Sequence, residues 1–249
     1  MTQLARHNFC IYSTRLKLGN QDILTLSRQF GLENAEKNLC ANSEAISEIT
    51  VSEQGIARRY IPYSNRAMSW HTDGYYNDLG NPVNTFILHC ENPAPSGGEN
   101  RFLDHELMLG WLYAKLGDQL FDLFAKDVFC IPANLSQGQE LRPQTSGPMF
   151  YFNQRGGLQM RYSARSRNIS WRRSDSIDTA RKEITRRLDD NPLISTCRLE
   201  SGMGIISKNV LHSRSAFTDD SDSRRLLYRA RFYDVVTNPD CGALLYAVA

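Results

Sequence analysis

The chain lacks the features that would send it into or across a membrane. No run reaches the roughly 18 consecutive apolar residues that a spanning helix needs. The opening MTQLARHNFCIYS has no apolar core of the kind a signal peptide carries, so a cytoplasmic protein is expected. Cysteine is sparse: the 6 residues, at 10, 40, 90, 130, 197 and 241, include no CxxC pair. That spacing argues against a zinc knuckle or a redox dithiol and predicts free thiols, mostly buried as small hydrophobes. An excess of one charge is also missing. With 29 Lys+Arg against 27 Asp+Glu, a net of +2, nucleic acid is not an expected partner and small-molecule chemistry is favoured. Internal repeats, low-complexity tracts and long Pro/Gly/Ser linkers are absent. The span 1–249 is therefore expected to form a single domain, a length that one all-β barrel or sandwich commonly fills.

What is present reads as strands with a few helices. DILTLSRQFG (22–31) has an Asp cap, a stripe of Ile23, Leu26 and Phe30, and a stopping Gly31. The segment 104–127 starts at Asp104 and is apolar at three-to-four spacing, with Gly110 and Gly117 as candidate breaks. In 174–192, Ile177, Ala180, Ile184 and Leu188 form one stripe before Asn-Pro ends it. The runs EITVSE, TFILHCE, DVFCIPA, LQMRYSA, GMGIISKNV and RLLYRARFYDVV read as strands, separated by turn clusters such as NPAPSGGEN and TDDSDS. Mostly β with helices suggests a jelly roll or related double-sheet barrel; periodicity alone leaves a mixed α+β sheet open.

The stretch SWHTDGYYN (69–77) carries the chemistry. In a strand, positions two apart share a face, so His71 and Asp73 would offer an imidazole and a carboxylate to one ion. A third ligand is available far along the chain: His212 follows an apolar run and is the only histidine in the C-terminal half. Two imidazoles and one carboxylate on one face of an octahedral ion leave three positions open, the ligand set of non-haem Fe(II) centres that bind a cosubstrate and O2. Zinc hydrolysis uses the same ligand types, with Glu99 as the nearby candidate base.

Past His212, SAFTDDSDSRRLLYRARF reads as a hairpin looping at 218–223, which would lay the returning strand beside His212. Period two then places Arg225, Leu227, Arg229 and Arg231 on one face, a site for an anion next to the metal, with Leu226, Tyr228 and Phe232 on the other. The competing reading is a solvated basic edge. Arg161, Arg165 and Arg167 divide in the same way between pairing with a substrate acid and lying in solvent. Trp70, Tyr75, Tyr76, Tyr162 and Trp171 could cage a quaternary ammonium, but core and pocket wall is the expected role. His7, His89 and His105 are expected to be structural.

Four motifs in order, WHTDGYY, NPAPSGGEN, NVLHSR and RRLLYRARF, resemble those of the taurine dioxygenase and gamma-butyrobetaine hydroxylase superfamily of Fe(II)/2-oxoglutarate-dependent oxygenases, over residues 20 to 236. The resemblance implies a double-stranded β-helix (jelly-roll) core of the clavaminate synthase-like kind. It implies iron held by His71, Asp73 and His212, a 2-oxoglutarate carboxylate near Asn100 in the turn Gly97-Gly98-Glu99-Asn100, and Arg225 on the far carboxylate. Arg229 would lie near the cosubstrate or substrate. It further implies O2-dependent conversion of 2-oxoglutarate to succinate and CO2, coupled to attack on a C–H bond of a small polar metabolite. Asp73 favours hydroxylation over halogenation, because related halogenases have a small residue there. Two other readings stay open: a non-catalytic metal- and dicarboxylate-binding barrel, and the zinc hydrolase.

Overall fold

A computed structural model describes residues 3–14, 18–136 and 139–238, together with a short strand at 246–247. Two facing antiparallel sheets form its centre. The large sheet runs in the order Tyr246–Ala247, Phe9–Ser13, Met203–Ser207, Thr85–Asn92, Leu226–Phe232, Ile46–Ile49. The small sheet runs Ser195–Cys197, Asn100–Leu103, Leu211–Arg214, Met68–His71. Phe86 and Ile205 of the large sheet meet Phe102 of the small one, with Val210 beside them, and this apolar layer holds the sheets together.

Each outer face is covered by helix. The helix Asn20–Gln29 buries Ile23 and Leu26 against Ile46, Ile87, Ile206, Ala230 and Phe232 of the large sheet. The helices His105–Leu116 and Asp175–Asp189 bury Met108, Leu112, Ile177, Ala180, Ile184 and Leu188 against Leu103 and Leu211 of the small sheet. Each fully buried Leu or Ile contributes roughly 1.5–3 kcal/mol, so the two stripes anchor these helices far more firmly than propensity could. Asp104 caps the first of the pair by accepting the Glu106 N–H at 2.9 Å. Gly117, at φ 56°, ends that helix, and the chain continues as a 3-10 turn over Gly117–Phe124; Gly110 causes no break.

Two strand expectations need correction. The EITVSE strand lies earlier, at Ile46–Ile49. More consequentially, the segment after His212 does not return beside it. Phe217–Thr218 pairs with Ser96–Gly97, and Leu226–Phe232 crosses to the large sheet between Thr85–Asn92 and Ile46–Ile49. The physical reason is burial on both faces: Leu227 on one side and Ala230 and Phe232 on the other are all buried, which a central strand between helix and opposite sheet provides. The face assignment holds. Leu227 packs with Ile49, Tyr63 and Cys90, while Tyr228, Ala230 and Phe232 belong to the layer under the Asn20–Gln29 helix.

Among the described residues Cys10, Cys40, Cys90, Cys130 and Cys197 are free thiols, and only Cys90 of these is fully buried. Cys241 lies outside the described residues. No helix among the described residues is long and apolar enough to cross a membrane.

Candidate active site

His71 ends the strand Met68–His71, and the antiparallel register sets His212 directly opposite it. The two ring centroids are 4.2 Å apart. The Nδ1–H of His71 donates to the Ser69 carbonyl and that of His212 to the Val210 carbonyl, each at 2.9 Å. A carbonyl can only accept, so both rings are fixed in the tautomer that leaves Nε2 with a lone pair. Burial, reinforced by His212, pushes His71 down to about 3, although Asp73 opposes the shift. Burial also lowers His212. Both imidazoles are therefore neutral at neutral pH and available as ligands.

Asp73 reaches the same place by a route that strand periodicity did not describe. The strand has ended, and Asp73 stands in a turn whose next residue, Gly74, has φ 64°. What aims it is Asn209: the Asp73 N–H donates to Asn209 Oδ1 at 2.7 Å, and Asn209 Nδ2 donates to the Asp73 carbonyl at 2.9 Å. Burial alone would favour the neutral acid, but Arg229 and then Arg231 outweigh it and hold the carboxyl well below the usual carboxylate range. Arg229 Nη1 lies 3.4 Å from one carboxylate oxygen and 3.5 Å from the other. One ligand atom each from His71, Asp73 and His212 all fall within 4.8 Å of one another. Two neutral imidazoles and an ionised carboxylate grouped this closely fit a divalent ion on one face.

The cavity beside this cluster lies between the sheets and is lined by His71, Asp73, Asn100, His212, Arg225 and Arg229, with Met68, Phe86, Leu88 and Phe102 as its apolar wall. Arg225 is 4% exposed, and its Nη1 has no partner. Burial pushes it down to about 10, against the pull of Cys90 and Asp219, so it remains a cation at neutral pH. A buried guanidinium with an idle nitrogen is costly unless an anion arrives. Asn100 is buried on the same wall, its amide only 3.5 Å from the Gly98 carbonyl. The turn beneath it needs glycine: Gly97 and Gly98 have φ 76° and 78°, and a Cβ on Gly97 would collide with the Ala216 carbonyl.

Other candidates fall elsewhere. Arg231 is buried in an ion pair with Glu36 and donates to Tyr76 Oη at 2.8 Å, so the arginine face divides between cavity and scaffold. Arg161 is buried but donates to the Tyr75 and Asn77 carbonyls, pinning the loop after Asp73, while Arg165 and Arg167 are exposed. Trp70 and Tyr162 are in the core under the helices, with Tyr75, Tyr76 and Trp171 packed against it; none of the five lines the cavity. His89 bonds Tyr12 and His105 the Leu158 carbonyl, as structural histidines do. Glu99 also lies off the cavity wall, bonded to Ser215, which leaves a hydrolytic reading without its base.

Residues 1–231 match the model of the taurine catabolism dioxygenase TauD, TfdA family. The chain belongs to that family. It is similar to a uridine-5'-phosphate dioxygenase of Streptomyces sp, 27% identical over 221 residues (84% of this chain, 78% of the relative). A second, of Amycolatopsis sp, is 26% identical over 229 residues (88% and 77%). Among solved structures it resembles an asparagine oxygenase in complex with Fe(II), 2S,3S-3-hydroxyasparagine and succinate (TM-score 0.63, 16% identity, 94% of this chain and 76% of that one). It also resembles a putative alpha-ketoglutarate-dependent taurine dioxygenase from Burkholderia xenovorans (TM-score 0.61, 19% identity, 99% and 86%). This TauD/TfdA-family protein is an Fe(II)/2-oxoglutarate-dependent oxygenase, and its cofactor set is iron, 2-oxoglutarate and O2. The readings as a zinc hydrolase and as a catalytically silent barrel give way to it.

Sequence reasoning missed Asn209 and Arg214. Asn209 has φ 59°, and an asparagine before an apolar strand is a residue type that tolerates that conformation. Arg214 is buried on the cavity wall, where it donates to the carbonyls of Pro62, Ser64 and Arg66. They are the first and last residues of NVLHSR, but bonds to distant backbone leave no local pattern.

Proposed function

We propose that His71, Asp73 and His212 hold the iron, that Arg225 and Asn100 hold 2-oxoglutarate, and that the enzyme hydroxylates a C–H bond of a small polar metabolite. One observation carries the reading: a cluster of two neutral imidazoles and a carboxylate shares a cavity with a buried, unpartnered guanidinium. 2-Oxoglutarate is a dianion with a keto-acid end for a metal and a far carboxylate that matches the Arg225 fork. When bound, iron supplies the oxidising step in which O2 and 2-oxoglutarate give succinate, CO2 and an oxidant for the substrate. The chain's own contribution is orientation and exclusion. Ser69 and Val210 fix the imidazoles, Asn209 fixes Asp73, and Met68, Phe86, Leu88 and Phe102 keep water from the cavity.

In fold terms, the two sheets are read as a double-stranded β-helix of the clavaminate synthase-like kind, within one domain over 1–249. The names of the two curated relatives make a nucleoside 5'-monophosphate the first substrate to try, and Arg229 beside Asp73 supplies a cation on the metal side of the cavity. The working compartment is read as the cytoplasm.

Aerobic protein with Fe(II), ascorbate and 2-oxoglutarate is expected to release succinate slowly, and faster with its substrate. A panel of nucleoside monophosphates, free amino acids and sulfonates, read by succinate and by product mass, identifies the class. Turnover that survives complete removal of iron and requires zinc would overturn the proposal.

A further inference from the structure

The cavity wall holds a second buried guanidinium, that of Arg214. Arg214 and Arg225 are 5% and 4% exposed, and both lie over the ring of Phe217, with their Cζ atoms 4.8 and 5.0 Å from its centroid. Arg225 lowers the pKa of Arg214 after burial has done so; two cations sit near each other, and none of the ion pairs among the described residues involves either. Their hydrogen bonding differs. Arg214 is tied through Nη1 and Nη2 to the carbonyls of Pro62, Ser64 and Arg66, with only its Nε unpartnered, whereas Arg225 Nη1, at the tip of its fork, has no partner. One cation is anchored and the other waits.

Phe217 links them. Its N–H donates to the Asn65 carbonyl at 3.1 Å, inside the segment Arg214 holds, and its strand pairs with Ser96–Gly97. Gly98 completes the seat, since a Cβ there would stand 3.4 Å from Arg225 Nε and 3.6 Å from Phe217 Cβ. A chain of contacts thus runs from the 62–66 backbone through Arg214 and Phe217 to Arg225.

We propose that Arg214 is a positioning residue for the cosubstrate: it fixes Phe217, the platform on which Arg225 is held for the far carboxylate of 2-oxoglutarate, and adds a second positive charge to that end of the cavity. The inference rests on the assignment of Arg225 to that carboxylate. An unpaired buried cation needs such a platform, because a π face stabilises the charge without occupying its hydrogen-bond donors. Arg214 can serve because its three carbonyl bonds leave it no freedom to swing toward the anion itself.

The test is anaerobic titration of the Fe(II)-loaded protein with 2-oxoglutarate, following the visible charge-transfer band of a chelated keto acid and, independently, the heat of binding. Arg214→Gln and Phe217→Leu are each expected to weaken 2-oxoglutarate by about 5- to 30-fold, the loss of one desolvated cation–π contact. Mn(II) affinity without 2-oxoglutarate, read by the EPR signal of the free ion, should be unchanged. Phe217→Leu keeps the apolar volume and tests the platform even if Arg214→Gln folds poorly. Wild-type 2-oxoglutarate affinity in Phe217→Leu, or a parallel loss of Mn(II) and 2-oxoglutarate in both variants, overturns the proposal. Arg225→Ala is the separate arm: if it leaves 2-oxoglutarate binding intact, the assignment of Arg225 itself is wrong, whatever the other two variants show.

Discussion

Asn209 and Asp73 are bound to each other twice, through the Asp73 N–H and the Asp73 carbonyl, and Asn209 makes a third bond to the Val83 carbonyl at 2.7 Å. The carboxylate that would complete the ion site is thus aimed by a side chain 136 residues away. Asn209→Ala should weaken metal binding by about 10- to 100-fold, the usual scale for losing a group that orients a ligand. Mn(II) titration of the variant checks it. Wild-type affinity would show that the turn at Gly74 suffices.

Asp73→Gly removes the proposed third ligand and one negative charge and leaves Arg229, whose side chain is 12% exposed, without its ion pair. Iron affinity should fall and hydroxylation should nearly stop, with chloride able to enter the vacated position. Full hydroxylation with ordinary iron affinity in this variant would remove Asp73 from the triad. Paired succinate and product assays with and without chloride decide it.

Arg225→Ala and Arg229→Ala should separate. If Arg225 holds the far carboxylate, truncating it leaves that charge unpaired in a buried site, at a cost of about 2 to 5 kcal/mol, which is roughly 30-fold to several-thousand-fold in apparent 2-oxoglutarate affinity. Arg229 contacts Asp73, so its loss should fall on the main substrate and on metal retention. The KM values of both compounds in both variants are the measurement. A raised 2-oxoglutarate constant in Arg229→Ala alone would reverse the two assignments.

The helix over the small sheet gives a pH prediction. Glu183 bonds Arg186 at 2.9 Å and Arg187 at 2.8 Å, and the Arg186 bond is the first cause that holds its carboxyl at about 2 instead of 4.5. A lowered folded pKa contributes stability above the unfolded value and loses it as pH falls through the folded one. Glu183→Gln should therefore cost stability at pH 7, by about 0.5–1 kcal/mol since Arg186 is largely exposed. The gap to wild type should close between pH 4.5 and 2 in denaturant melts.

The parts of this site that were legible in sequence are those whose residue type is dictated by chemistry. An ion site with open positions calls for residues such as His71, Asp73 and His212, and a dicarboxylate calls for an arginine such as Arg225. Period two also gave the face of Leu226–Phe232 correctly, since alternation is a property of the strand alone. It could not give the sheet. Leu227, Ala230 and Phe232 need cover from both sides, and only the assembled layers show where such cover exists. Asn209 and Arg214 were opaque for a related reason: each bonds backbone that is distant in sequence, so neither leaves a local pattern. His71 and Asp73 do lie together, but not by strand alternation: a turn stabilised from across the fold brings Asp73 to His71.

The division of labour between the sheets has a mechanical consequence. His71 and His212 hang from the small sheet, whereas Arg225 and Arg229 belong to the segment that enters the large one. An ion held from the small sheet and a dicarboxylate reaching from it past Asn100 to Arg225 would act together as a tie-bar across the apolar seam of Phe86, Phe102, Ile205 and Val210. Loading the cavity should therefore slow hydrogen exchange in both sheets at once, and the protein without its cosubstrate would be the one whose halves breathe apart.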